Sequence, residues 1–254
     1  ISRTTAAYAP VPTTAADSTN HTRVTFIGWE WPEPNSSAAG VRTAALIHEA
    51  VERGWDVTCM AATACLPHHN QHQPHGVTSL MGVNENVRLY HVPANRRSKL
   101  KKALAIARPD VIVFDRFLAE EAFGAQVREL CPGALRVLDM QDVHALRRAR
   151  ESCVKQQLKS VRAAGNVDDV VMRDVLRATP SATDPTLCRE LGAVHRCDVS
   201  LVCSPVELEW LNKVCMIPQR KTVLASFFEG VNDVDVTQAH GTHFVSPVTT
   251  SSDD

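Results

Sequence analysis

Nowhere in these 254 residues is there a run of uncharged apolar residues as long as the eighteen or so that a membrane-spanning helix needs. Of the familiar reaction motifs, G-x-x-x-x-G-K-[ST] is missing, which removes P-loop phosphate transfer. G-x-S-x-G is missing, which removes the hydrolase nucleophile elbow. The 8 cysteines include no C-x-x-C pair, and H-E-x-x-H is absent, so no zinc pattern is present. G-x-G-x-x-G is absent as well, and with it the dinucleotide fingerprint. Net charge is almost nil at −1, so no global field draws the chain to nucleic acid or an anionic membrane. No paired carboxylates of the glycosidase kind stand out. A signal peptide is lacking too, and a chain that opens on Ile1 reads as a fragment or a processed product.

What is present is an ordinary globular composition, 44% apolar and 22% charged, with enough chain for a sizeable core. Several cysteines fall inside apolar runs, where Cys acts as a small hydrophobe, so a reduced, cytoplasmic chain is expected. Residues 1–22 are rich in Thr, Ala and Pro and lack periodicity, which predicts disorder. The tail over 230–254 reads the same way, leaving one domain over 23–229. The stretch "LPHHNQHQPHG" carries His68, His69, His72 and His75 between prolines, without an acidic or Cys partner at regular spacing. It reads as a solvated loop, and no metal site is assigned.

Short apolar runs alternate with helical patterns along the domain. Strands are expected at 24–28, 56–61, 87–92, 111–114, 135–140, 199–203 and 222–226, β-branched and apolar as strands covered on both faces are. Helices are expected at 38–53, 98–107, 119–130, 145–164, 168–178, 186–195 and 205–214. Ser36 and Ser37 can cap the first helix, Gly54 follows its end, and Pro109 stops the second. Alternating strands and helices argue for an α/β fold, a doubly wound parallel sheet of about seven strands. Ligands of such sheets bind beyond the carboxyl ends of the strands.

The residues just after each strand are therefore the ones with chemistry to offer. After the first strand, "NSSAAGVR" brings Ser37, Gly40 and Arg42 to a helix N-terminus, which suits phosphate or sugar oxygens. The same residues also read as a plain cap followed by a solvated Arg. Asp115 and Arg116 follow the fourth strand, where they could simply pair. After the fifth, "DMQDVHALRRAR" gathers Asp139, Gln141, Asp142 and His144. Asp139 or Asp142 could be a helix cap, but one cap does not require the whole cluster, and His144 has a backbone N–H and a ring nitrogen to offer a ligand. After the sixth, Ser204 and Glu207 have capping-box spacing.

In order along the chain, "NSSAAGVRTAALIHEAVERGWDVTCMA", "PDVIVFD", "DMQDVHALRRAR" and the run from Glu190-Leu191 through Asp198 to Ser204 and Glu207 resemble the N-terminal domain of family 4 glycosyltransferases of the GT-B fold. The likeness extends over roughly 23–229. It implies a Rossmann-like domain, the acceptor-side half of an enzyme that transfers a sugar, with retention, from a nucleotide-activated donor to an acceptor hydroxyl without a cofactor or metal. By that resemblance Ser37, Gly40 and Arg42 would approach the donor phosphates or sugar, His144 would face the donor sugar, and Asp142 would act beside it. Asp115, Arg116, Gln141, Ser204 and Glu207 would line the cleft. The donor-binding second domain has no counterpart here, so activity would require one in cis or from a partner chain. The alternatives are a noncatalytic binding or assembly module of the same fold, or a nucleotide-sugar epimerase-like GT-B protein.

Overall fold

The computed structural model describes residues 21–35, 37–64, 87–164 and 172–226. The His-rich stretch, residues 1–20 and residues 227–254 lie outside them. In chain order the elements are β1 (Arg23–Gly28), α1 (Ala38–Glu52), β2 (Asp56–Ala61), β3 (Arg88–His91), α2 (Arg97–Ala107), β4 (Val111–Asp115) and α3 (Arg116–Leu130). There follow β5 (Leu135–Asp139), α4 (His144–Ala164), α5 (Met172–Arg177), α6 (Pro185–Arg196), β6 (Val199–Val202), α7 (Pro205–Lys213), a 3₁₀ turn (Gln219–Lys221) and β7 (Thr222–Leu224).

The strands form one 7-stranded sheet in the order β3-β2-β1-β4-β5-β6-β7, and every neighbouring pair is parallel. This is the expected doubly wound, Rossmann-like α/β architecture. Strand order reverses at β1, so the chain leaves β1 toward β2 on one side while β4 lies on the other. That divergence opens a crevice at the carboxyl edge.

Alternation along the strands builds a core on each face of the sheet. Val24, Phe26, Val57, Cys59, Val113 and Val137 pack with Ile47 and Ala50 of α1. Ile27, Ile112, Phe114 and Leu138 point the other way, against Leu100, Phe123, Val127 and Leu146 of the remaining helices. Fully burying such a side chain stabilises the fold by about 1.5–3 kcal/mol. Polar ties fix the amino edge: Asp110 binds Arg23 and Asp198 binds Arg136, joining β4 to β1 and the start of β6 to β5. Buried Glu120 on α3 receives Arg196 of α6 as well as Arg128.

The local punctuation follows the sequence. Ser37 caps α1 by accepting the Gly40 N–H at 3.0 Å, and Gly54, at φ 71°, turns the chain beyond its end. Arg108 takes a left-handed conformation (φ 44°) after α2, and Pro109 follows. Helix α3 differs from expectation. It starts at Arg116 rather than Ala119, directly from β4 with no side-chain cap, through a left-handed Arg116 (φ 63°) that composition does not announce. Among the described residues no helix is long and apolar enough to cross a membrane, and 7 free cysteines form no disulfide.

Candidate functional site

At the crevice, β1 ends in Gly28, β4 in Asp115 and β5 in Asp139, the last two directly paired in register. The loop after β1 folds back over this edge. Trp31 is buried there and donates its indole N–H to the Thr63 carbonyl at 3.2 Å. Beneath it is a cavity of about 20 Å³, lined by Gly28, Trp31, Thr43, Asp115 and Asp139 among others, with room for about one water. The space is too small for anything beyond a water, and the start of α3 and the turn after β5 form the mouth above it.

The turn after β5 is tight and strained. The Asp142 N–H reaches back to the Met140 carbonyl at 2.8 Å, closing a γ-turn on Gln141 at φ 61°. A left-handed conformation costs a non-glycine residue about 1–3 kcal/mol, and such strain tends to collect at working sites. The turn aims the Gln141 amide at Asp115 Oδ1 and at Thr43 Oγ1, joining β4, β5 and α1 across the crevice mouth. Arg116 pairs with the other Asp115 oxygen at 3.1 Å. Burial pushes the Asp115 carboxyl up, against the lowering influence of Arg116.

Helix α4 then begins at His144, but its first N–H groups are not open to a ligand. Glu207 of α7 accepts the Val143 N–H at 3.2 Å. Glu190 of α6 accepts the His144 N–H at 2.7 Å and the Ala145 N–H at 3.0 Å. The expectation that His144 offers a backbone N–H to a ligand is thus corrected; only its ring remains available. The capping box at Ser204 and Glu207 is likewise half made: Ser204 accepts the Glu207 N–H at 3.5 Å, while the Glu207 carboxylate reaches across to α4. Asp142 does not cap α4; it holds Arg147 at 2.5 Å and sits 3.5 Å from the His144 ring.

The α1 residues differ more from expectation. Gly40 is buried, and a Cβ built on it would fall 2.2 Å from the Glu33 carbonyl oxygen. Its missing side chain therefore accommodates the chain's own loop, and its N–H goes to Ser37. Arg42 is no solvated cation near a phosphate. Its side chain is fully buried, with Nε 2.9 and 3.0 Å from the two oxygens of Asp139. Its Nη1 donates to the carbonyls of Ala225 and Ser226, at 2.7 and 3.3 Å. Asp115, Arg116, Gln141, Asp142 and His144 do come together at the mouth, whereas Ser37, Gly40 and Arg42 serve the packing of α1 beside it. Sequence reading missed the role of Glu190, which no local spacing connects to His144. Among the described residues, no group of three or more His, Cys, Asp or Glu is placed to hold a metal ion.

Burial raises the Asp139 carboxyl to about 6, opposed by Arg42. The folded state therefore holds this proton more tightly than the unfolded chain, whose carboxylates titrate near 3.9. The stability Asp139 contributes is present below about pH 4 and is lost as pH rises through about 6, at up to about 1.4 kcal/mol per pH unit. Asp110 and Asp198, held low by hydrogen bonds from Arg23 and Arg136, act in the opposite sense. The difference between wild type and Asp139→Asn isolates the Asp139 contribution. In urea unfolding from pH 4 to 7, the wild type should lose stability relative to the variant as pH rises. Parallel pH profiles would refute this.

No protein-family model matches this chain, and no curated protein does. Among solved structures it is similar to the glycotransferase of kitacinnamycin, at 17% identity and a TM-score of 0.44, over 89% of this chain and 55% of that one. Glycyrrhiza uralensis UGT73P12, solved with glycyrrhetinic acid 3-O-monoglucuronide, aligns at 14% identity and a TM-score of 0.44, over 81% and 48%. The Bordetella bronchiseptica enzyme WbmH, solved with NAD+, aligns at 13% identity and a TM-score of 0.37, over 72% and 57%. The chain spans about half the length of these solved structures. Its Rossmann-like assignment rests on its own strand order and parallel register.

Proposed function

We propose that this chain is the acceptor-side half of a retaining glycosyltransferase, moving a sugar from a nucleotide-activated donor to an acceptor hydroxyl. The observation that carries the reading is the cluster of Asp115, Gln141, Asp142 and His144 at the carboxyl edge beside the strand-order reversal, where open α/β sheets bind ligands. The motif order along the chain supports it. His144 is the residue that meets the reacting sugar, and Asp142 acts beside it. The α4 N-terminus is closed by Glu190 and Glu207, and Gly40 faces Glu33, so the donor phosphates fall to a second domain, in cis or on a partner chain. Val214, Met216, Val223 and Leu224, between the end of α7 and β7, are exposed apolar side chains of the kind such a neighbour would cover. We place the protein in the cytoplasm, in keeping with the free thiols among its described residues.

The test is turnover of a nucleotide-sugar panel by the full-length native protein and its His144→Ala variant. The variant should lose at least about tenfold, roughly 1.4 kcal/mol of transition-state stabilisation, with its circular dichroism unchanged. Near-normal turnover would remove His144 from the mechanism. The closed α4 terminus and the filled space at Gly40 also favour a second reading, a noncatalytic binding module. In that case no nucleotide sugar is consumed by either protein. Product analysis separates transfer from epimerisation.

A further inference from the structure

The His144 ring is held from one side only. Its Nδ1 lies 3.1 Å from Glu190 Oε1, the same oxygen that takes the His144 backbone N–H. Asp142 Oδ1 approaches the same ring nitrogen at 3.5 Å. Glu190 is 1% exposed, and its other oxygen accepts the Ala145 N–H, so the carboxylate cannot swing away. The imidazole and the Phe117 ring meet in a T-shaped contact, 5.5 Å between centroids, and Arg189 stacks over Phe117 at 4.9 Å. Arg189 is itself tied to Glu121. Rotating the ring to bring Nε2 toward Glu190 would break the Nδ1 bond and this packing together. No described residue is hydrogen-bonded to Nε2.

We propose that Glu190 is a positioning residue that fixes neutral His144 as the Nδ1–H tautomer, leaving the Nε2 lone pair to accept a hydrogen bond from a ligand hydroxyl. An ionised carboxylate has only lone pairs to offer, so the ring nitrogen facing it carries the hydrogen. The opposite nitrogen is then an acceptor, the orientation by which a carboxylate prepares an imidazole to receive a proton. A phosphate or carboxylate ligand would need a donor at Nε2 and would also meet the carboxylates of Asp115 and Asp142 at the mouth. Two of the nearby cations are already engaged, Arg116 with Asp115 and Arg147 with Asp142. The group that fits is the hydroxyl of a neutral substrate. That it belongs to a sugar rests on the function proposed above; the tautomer does not.

The experiment is ¹⁵N–¹H long-range correlation NMR of the imidazoles in the full-length protein, at a pH where His144 is neutral, with the His144→Ala spectrum for assignment. The wild type should show His144 in the Nδ1–H form. Glu190→Gln, whose amide can present N–H as well as oxygen to the ring, should show a mixture of tautomers or the Nε2–H form. Should that variant fail to fold, Glu190→Asp gives the same readout, because the shorter side chain withdraws its oxygens from the ring. A wild-type His144 in the Nε2–H form overturns the proposal, as does a tautomer unchanged in the substituted protein. An Nδ1–H ring in a protein that consumes no nucleotide sugar would leave the positioning role standing and remove the transferase reading. The reverse result would do the opposite.

Discussion

Arg42→Met should cost the protein about 3–5 kcal/mol of stability, a large part of the 5–15 kcal/mol available to a typical domain. Methionine replaces the aliphatic stem of the side chain but leaves Asp139, only 1% exposed, without the guanidinium that lies against both of its oxygens. Removing one partner of a buried ion pair is far more damaging than replacing both, because the survivor keeps its desolvation cost. Two carbonyls, of Ala225 and Ser226, also lose the donor that ties the chain after β7 to α1. Asp139 can lessen the damage by taking up a proton, as its raised pKa allows, so the loss should shrink toward acid pH. Pairing the change with Asp139→Leu should recover part of the loss at neutral pH. Urea denaturation of the single and double variants measures both effects. A single-variant loss under about 1 kcal/mol, the usual worth of an exposed pair, would show that this ion pair is not the buried tie described here.

Arg42 also marks where sequence reading stops. The helix that carries it was legible, because small residues, a capping serine and a closing glycine bracket a run of apolar periodicity. So was its place at the carboxyl edge, since any residue in the first turns of a helix that follows a parallel strand lies there. Its direction was not legible. Whether an Arg at that height points to solvent or under the sheet edge depends on what lies opposite, and Asp139 is far away in sequence. His144 shows the same division. The segment "DMQDVH" announced a polar cluster at a strand end, and the cluster is there. The carboxylates that close the α4 terminus come from α6 and α7, and only the folded chain brings Glu190 and Glu207 to it. The strands were the most legible part, because burial on both faces leaves few choices besides apolar and β-branched side chains. The start of α3 was the least legible. Its left-handed Arg116 is held by the Asp115 pairing at the mouth rather than by anything local propensity records.

Gly40→Ala gives the second large effect, and it separates two meanings of a small residue at a helix start. If Gly40 leaves space for a ligand, adding a methyl group impairs binding and leaves the empty protein as stable as before, or slightly more so, since Ala is favoured over Gly within a helix by about 1 kcal/mol. If Gly40 leaves space for the chain itself, the empty protein suffers. The geometry points to the second meaning. The added Cβ would lie 2.2 Å from the Glu33 carbonyl oxygen, 2.4 Å from its carbon and 2.7 Å from its nitrogen, all backbone atoms. No rotamer change can relieve that overlap. The loop from Trp29 to Pro34 must lift from α1, and it is pinned by the Trp31 indole bond to Thr63 and the Ser37 N–H bond to the Glu33 carbonyl. Overpacking of this kind costs about 1–3 kcal/mol or more, and the backbone contacts place it at the upper end. Set against the helix-propensity gain, the net loss should be about 2 kcal/mol, which at about 2–4 °C per kcal/mol for a domain of this size lowers Tm by about 4–8 °C. Gly133→Ala is the control, because a Cβ there meets nothing within 4 Å, and its stability should stay within about 0.5 kcal/mol of wild type. A Gly40→Ala protein as stable as the Gly133→Ala control would mean that the loop yields freely. The glycine would then return to the ligand side of the argument.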